Sequence, residues 1–192
     1  MALRNTHDRY GAVAQALHWV VALGFVVQFA LAWYMEDLPN TPFKIEMYNL
    51  HKSLGVTLLV LAALRLAWRR ANPVPPLPPG RPRWEEWASQ ASHIGLYGLL
   101  FLQPLTGLAM ALYSPYPSYI WGIKLPRPGA VEAVETAAHT AHFYLKWVIL
   151  ALVAVHVAAA LRHHFILRDS VLRRMLPGFP RVRSDQAESP DP

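Results

Sequence analysis

Four long apolar segments, separated by charged connections, constrain this 192-residue sequence more than any other feature. A hydrocarbon core about 30 Å thick requires roughly 20 apolar residues in helical form, and each segment is about that long. The apolar runs are continuous rather than alternating, which argues against a transmembrane β-barrel. The sequence therefore predicts an all-α fold, a four-helix transmembrane bundle. Its spans run from about Ala12 to Trp33, Leu50 to Trp68, Ala91 to Tyr113 and Ala138 to Leu161.

A cleaved signal peptide is the alternative interpretation of the first segment. The apolar region of a signal peptide is typically roughly 7–15 residues long and is followed by small residues at a cleavage site. The first segment is longer, lacks such a site, and is preceded by the acidic residue Asp8. We therefore expect the first segment to be a membrane span of the mature protein.

Arginines are concentrated in three segments that would share one side of the membrane: the N-terminal tail, the connection between spans two and three, and the C-terminal tail. The positive-inside rule then places both termini in the cytoplasm. The net charge of +6 has the same origin. Because these arginines flank membrane spans, the charge does not indicate a nucleic-acid partner.

The spans and their connections define one predicted domain, residues 1–178, followed by a polar tail, residues 179–192, that we expect to be disordered. The proline-rich connection Asn72–Arg83 should be extended and stiff. Pro104 should kink the third span. The loop Ser114–Gly129 is rich in Pro, Tyr and Trp, which predicts a position at the outer membrane interface.

The positions of four histidines suggest a cofactor site in each half of the membrane. His142 and His156 are fourteen residues apart in the fourth span. In a helix they lie about 40° apart around the axis and about 21 Å apart along it. His51 begins the second span at the outer side, level with His142, and His18 begins the first span at the inner side, level with His156. The four histidines thus form two pairs at two depths, and ligands in a bundle project inward in this way.

Haem fits two imidazole pairs best. The absence of cysteine excludes iron–sulfur clusters, thiolate ligation and covalent c-type attachment, so the predicted cofactors are two b-type haems. Bis-imidazole ligation leaves no open position on the iron and favours electron transfer, so no separate catalytic residue is predicted. Zinc would require three or four ligands at one point. A proton relay, and histidines that merely bond neighbouring helices, remain alternatives.

The sequence resembles the bacterial cytochrome b561 family, whose members include superoxide oxidase. The resemblance covers nearly all of residues 9–178. It is carried by ALHWVVALGF around His18, NLHKSLGVTLLVLAALRLAWR around His51, LYGLLFLQPLTGLAM in the third span, and HFYLKWVILALVAVHVAAALRHHFILRDSVLRRMLPG through His142 and His156. The resemblance implies that these four histidines are the haem ligands and that His18 pairs with His156 and His51 with His142.

Three further residues are candidates for cofactor or quinone binding. Arg65 should pair with a haem propionate, or else extend to the lipid headgroups. His163, seven residues after His156, would bind a propionate or a quinone, or else be an interfacial residue in water. His93 would join a quinone pocket at the inner side. At the outer side, Lys52 and Lys124 would favour an anion such as superoxide.

The resemblance implies an oxidoreductase of the bacterial inner membrane, surrounded by lipid, that passes single electrons to or from quinone. The leading specific activity is that of a superoxide:ubiquinone oxidoreductase, with superoxide oxidised outside and ubiquinone reduced inside. The first alternative is an electron-carrier or anchor subunit that links a dehydrogenase, a hydrogenase or a periplasmic redox protein to the quinone pool. The second alternative is a transporter or proton channel without a cofactor.

Overall fold

The structure, a computed structural model, describes residues 2–178. It contains four long helices and one two-stranded sheet: α1 Ala12–Glu36, α2 Pro42–Arg70, α3 Arg83–Tyr113, β1 Tyr119–Ile120, β2 Ile123–Lys124 and α4 Glu132–Leu161. Each helix is long and apolar enough to cross a membrane. The prediction of a four-helix transmembrane bundle is confirmed. The tail predicted to be disordered, residues 179–192, lies outside the described residues.

The helices α2 and α3 begin before their apolar segments, because residues that favour a helix N-terminus precede those segments. Thr41 precedes α2, and Pro42 occupies the first helical position, where a missing N–H costs nothing. Glu85 and Glu86 lie in the first turn of α3, where negative charge favours the helix dipole. α3 then continues through Pro104 to Tyr113.

Large apolar side chains face outward along the spans. Leu23, Val26, Ile94 and Val155 are each more than 60% exposed, whereas the buried apolar side chains are few. A soluble bundle would bury such residues, and an apolar surface of this extent requires lipid as its solvent. The few buried side chains of the spans include apolar ones such as Leu58 and Ile149 and polar ones such as Gln15 and Ser53.

The N-terminal segment and the segment after α4, as far as residue 178, meet at one end of the bundle, which we call the terminal end. Asn5 donates a hydrogen bond to the carbonyl of Pro73 in the α2–α3 connection (2.9 Å). On α1, Gln15 donates to the carbonyl of Arg174 (3.0 Å) and Trp19 to that of Met175 (2.9 Å). Both terminal segments and the proline-rich connection thus lie together, as the arginine distribution predicts.

A buried ion cluster joins the C-terminal segment to the α2–α3 connection. The α4 helix ends in a π-helical turn, Arg162–Ile166, that brings His163 towards Asp169. One carboxylate oxygen of Asp169 accepts from His163 Nδ1 (2.6 Å) and from Arg81 (2.7 Å). Burial alone would raise the pKa of Asp169, but hydrogen bonds from His163 and Val171 and the charges of His163 and Arg81 hold that pKa below its ordinary value.

A small β-hairpin covers the opposite end of the bundle, which we call the loop end. β1 pairs with β2 in antiparallel register through a two-residue turn at Trp121 and Gly122, both with positive φ, as a type I′ turn requires. Asn49, Ser53 and Thr57 form a polar stripe at four-residue spacing on α2, and all three accept hydrogen bonds from the hairpin. The hairpin was not predicted from the sequence.

We predict that Asp169→Asn lowers the melting temperature, because it weakens a buried charge-assisted contact worth about 1–3 kcal/mol. The lowered pKa of Asp169 means that folding favours the ionised carboxylate. The contribution of Asp169 to the free energy of unfolding is therefore fully present above the ordinary carboxyl pKa of about 4. It is lost as the pH falls through the lower pKa that this carboxyl has in the folded protein.

Thermal unfolding in detergent between pH 8 and the acid range measures this difference. Asp8→Asn, at an exposed position outside the helices, is the matched control and should leave the melting temperature unchanged. A difference between wild type and Asp169→Asn that disappeared already between pH 8 and pH 6 would contradict the assignment to the Asp169 carboxylate.

Candidate functional site

The four predicted histidines form two pairs inside the bundle. The ring centroids of His51 and His142 are 6.4 Å apart near the loop end, and those of His18 and His156 are also 6.4 Å apart towards the terminal end. The rings within each pair are steeply inclined, at 80° and 62°. We call them the loop-end pair and the terminal-end pair. The fourteen-residue step along α4 separates them by about 21 Å.

The spacing within each pair suits a metal held between two imidazoles. Two metal–nitrogen bonds of about 2 Å each, together with the half-widths of two rings, account for such a separation. In residues 2–178 no three side chains of His, Cys, Asp or Glu cluster as a metal site. Two opposed imidazoles, which the loop-end pair has without a third imidazole in contact, fit a b-type haem better than zinc.

Hydrogen bonds on α3 fix the ring of His142. Its Nδ1 donates to the backbone carbonyl of Gln103 (2.9 Å), and the Thr106 hydroxyl lies 3.0 Å from the same nitrogen. A carbonyl only accepts, so the proton is on Nδ1 and the Nε2 lone pair is free. This is the usual state of a metal-binding histidine, whose other nitrogen donates to a backbone carbonyl.

Gly107 has no side chain, and the His142 ring lies where one would be. A Cβ atom at position 107 would lie 3.1 Å from Cε1 and 3.4 Å from Nδ1 of this ring. That is closer than a well-packed contact allows, so a side chain here would displace the imidazole. The third span thus approaches α4 closely at the depth of the loop-end pair.

His51 offers a nitrogen that the described residues leave without a partner. Its Nδ1 is buried and makes no hydrogen bond to any residue in 2–178. Its backbone carbonyl accepts from Gln28 on α1 (3.0 Å). The neighbouring Lys52 donates to the buried hydroxyl of Ser118, at the base of the hairpin (2.8 Å), while Lys124 is exposed on β2.

Arg65 lies beside the terminal-end pair rather than extending towards the headgroups. It donates to Nδ1 of His18 (3.1 Å) and to the hydroxyl of Tyr97 (3.0 Å), and its guanidinium carbon is 5.2 Å from the Tyr97 ring centroid. No carboxylate within residues 2–178 forms an ion pair with it. A cation inside a span requires an anionic or polar partner, and a haem propionate would supply one.

The two other candidate histidines occupy different surroundings. The ring of His93 is 5.5 Å from that of His156, and its Nδ1 donates to the carbonyl of Ser89 (2.7 Å). His163 is buried and bound to Asp169, so the interpretation as an interfacial histidine in water is wrong. Their assignment to a quinone or propionate stays a prediction.

Sequence reasoning missed the polar residues that support the histidines. Gln28 and Gln103 donate to the backbone carbonyls of His51 and His142, at 3.0 and 3.2 Å. A signal was present, because each glutamine follows a histidine of its own helix by ten residues, His18 and His93 respectively. The positions of Thr106 and Tyr97 in the sequence follow no comparable spacing.

Comparison with known proteins identifies the family. A model of the prokaryotic cytochrome b561 family matches residues 9–178. Cytochrome b561 homolog 2 of Escherichia coli is 34% identical over 92% of this chain and 95% of its own length. A probable superoxide oxidase, CybB, of Yersinia pestis is 28% identical, over 89% and 97%. Cytochrome b561 homolog 1 of Escherichia coli is 27% identical, over 88% and 98%.

We predict that Gly107→Val lowers the haem content of the purified protein, because the added side chain displaces the His142 ring. Overpacking of this kind typically costs about 1–3 kcal/mol. The pyridine haemochrome assay measures haem per chain. Ala88→Val, on an exposed part of the same helix, is the control. Full haem content in Gly107→Val would show that the close approach of α3 to His142 is not needed.

Proposed function

Because the chain belongs to the prokaryotic cytochrome b561 family, we propose that it is a di-haem cytochrome b that transfers single electrons between a donor and quinone. Family membership accounts for a b-type haem and for membrane electron transfer. The number of haems, their ligands, the donor and the acceptor are our proposals. The observation that carries them is the presence of two imidazole pairs with the same 6.4 Å separation at two depths.

In this proposal, the loop-end pair would hold one haem and the terminal-end pair the other. Haem b, when bound, supplies reversible one-electron redox chemistry. The chain supplies the rest: Gln103 and Thr106 orient His142, Gly107 leaves its ring room, and Arg65 offers a positive charge to an anionic group. The lipid-facing apolar surface keeps water away from both pairs.

We propose that the terminal end faces the cytoplasm of a bacterial inner membrane. The support is the arginine excess in the segments that meet there, which follows the positive-inside rule. The loop-end pair and the hairpin would then face the periplasm. Electrons from an external donor would enter at the loop end and leave at the terminal end.

The leading specific activity that we propose is superoxide oxidation coupled to quinone reduction. Two superoxide anions each give up one electron and leave as dioxygen, while one ubiquinone takes two electrons and two protons to become ubiquinol. The relative named probable superoxide oxidase supports this choice. Lys52 supports it as well. This residue follows His51 in the sequence, and its ammonium group would attract an anion to the loop end.

For quinone we propose a site at the terminal end, next to Arg65. A small pocket there is lined by Arg65, Arg69, Trp68 and Tyr97, among others. The indole nitrogen of Trp68 is buried and has no partner in residues 2–178. These groups are hydrogen-bond donors, and the oxygens of a quinone are acceptors. Whether His93 and His163 also contribute stays a prediction.

A membrane electron carrier for another redox protein is the second candidate. The observation that favours it is the exposed apolar surface of the hairpin and of the loop before it, where Ile123 and Tyr116 are 72% and 75% exposed. Such a surface suits a docked periplasmic partner. The two functions differ in whether the purified protein needs that partner in order to reduce quinone.

We predict about two haems per wild-type chain and about one after substitution of any single residue of the loop-end pair by Ala. The pyridine haemochrome assay and the reduced absorption spectrum measure this. His139→Ala, one turn before His142 on α4, is the matched control and should retain both haems. A wild-type protein with one haem, or a His51→Ala variant that retains two, would refute the di-haem assignment.

We predict that purified protein oxidises superoxide and reduces ubiquinone without a partner, in a ratio of two superoxide anions per quinol. Stopped-flow absorbance measures the reduction of the protein, and the quinol yield is measured separately. Lys52→Gln should slow the reduction by roughly 10-fold at low salt, with a smaller effect at high salt. Lys44→Gln, at the start of α2, controls for net charge. Failure to react without a partner would favour the carrier.

A further inference from the structure

The spacing of polar residues repeats between the first and second halves of the bundle. Ten residues separate His18 from Gln28 on α1, and ten separate His93 from Gln103 on α3. Fourteen residues separate His51 from Arg65 on α2, and fourteen separate His142 from His156 on α4. Each half therefore presents polar side chains at the same helical positions.

The contacts repeat as well as the spacing. Gln28 on α1 donates to the carbonyl of His51 on α2 (3.0 Å), and Gln103 on α3 donates to that of His142 on α4 (3.2 Å). The α1–α2 and α3–α4 halves are thus two copies of one arrangement. In this correspondence His51 is equivalent to His142, His18 to His93, and Arg65 to His156.

The two histidine pairs relate differently to this repeat. The loop-end pair joins two equivalent residues, His51 and His142. The terminal-end pair joins His18 and His156, which are not equivalent. His93, the counterpart of His18, is consequently a third imidazole at the terminal end, and its ring is 5.5 Å from that of His156. Within residues 2–178, no other histidine ring makes a ring contact with the loop-end pair.

The hydrogen bonds of His93 are those of a metal ligand. Its Nδ1 donates to the Ser89 carbonyl, so the proton is on Nδ1 and Nε2 is free. His142 has the same arrangement with the Gln103 carbonyl. A histidine that binds a metal through Nε2 is usually held in this way.

His18 is held in the opposite state. Arg65 donates to its Nδ1, and a guanidinium has no acceptor, so the proton of a neutral His18 ring is on Nε2. In this arrangement the lone pair of His18 is on Nδ1, where it accepts from Arg65. Of the two imidazoles next to His156, His93 is therefore the one with a free Nε2.

We propose that His93 is an alternative axial ligand of the terminal-end haem, able to replace His18 opposite His156. This inference rests on the proposed binding of a haem at the terminal-end pair. The site would then have two possible ligand sets, His18 with His156 and His93 with His156. The loop-end site, with no spare imidazole in contact, would have one.

Haem content of the full-length protein in detergent tests the proposal. His18→Ala should retain about two haems per chain, with a changed low-spin signal in the electron paramagnetic resonance spectrum. His93→Ala should also retain about two. The double variant, His18→Ala with His93→Ala, should retain about one. His51→Ala, which has no substitute ligand, should likewise retain about one and is the matched control.

The result that overturns the proposal is a His18→Ala protein with the same single haem as the double variant. If the His18→Ala protein does not accumulate in the membrane, His18→Asn takes its place in the same comparison, because Asn keeps an acceptor for Arg65. Failure of the underlying function gives a different result, because wild type would then contain fewer than two haems. Size-exclusion profiles confirm that each variant remains folded.

Discussion

Placement of four half-buried imidazoles between apolar helices is the constraint on which the rest of this structure depends. A polar ring without a partner is costly in a hydrocarbon environment. The fourteen-residue step puts His142 and His156 at two depths of α4, so each depth needs a facing group from another helix. α2 supplies it near the loop end and α1 towards the terminal end. The ring centroids are 6.4 Å apart in both pairs.

Several other polar side chains within the spans contact these pairs. Gln28 and Gln103 bond the backbone carbonyls of the loop-end histidines, and Thr106 bonds the ring of His142. Tyr97 and Arg65 form the corresponding layer at the terminal-end pair. Because lipid offers no hydrogen bonds, each of these groups has to find its partner inside the bundle. Five polar side chains thus surround the two histidine pairs.

The spans and the histidine pairs could be predicted because both follow from the geometry of single helices. Length and apolar content define a span, and the helical period sets the depth and face of a histidine. The sequence left two positions open for Arg65, because extension to the headgroups or inward depends on neighbouring helices. His18 and Tyr97, which hold it inside, belong to two other spans.

The β-hairpin and the Asp169 cluster could not be predicted, since each depends on contacts between distant segments. The hairpin is fixed by Asn49, Ser53 and Thr57, which belong to α2 and resemble ordinary helix-surface residues. The bond between His163 and Asp169 requires a π-helical turn after α4, and a regular α-helix would direct His163 elsewhere. The four-residue spacing on α2 is that of any helix face, and the contact between His163 and Asp169 follows no periodic pattern.

The two repeated halves differ at the terminal end, where Arg65 of α2 corresponds to His156 of α4. Equivalent residues face each other in the loop-end pair, but Arg65 stands where the repeat would place another imidazole. A guanidinium remains charged even within a span, so this difference introduces a fixed positive charge at one depth. Positive charge in a poorly screened environment stabilises an added electron nearby. Arg65 therefore makes the surroundings of the terminal-end pair electrostatically different from those of the loop-end pair.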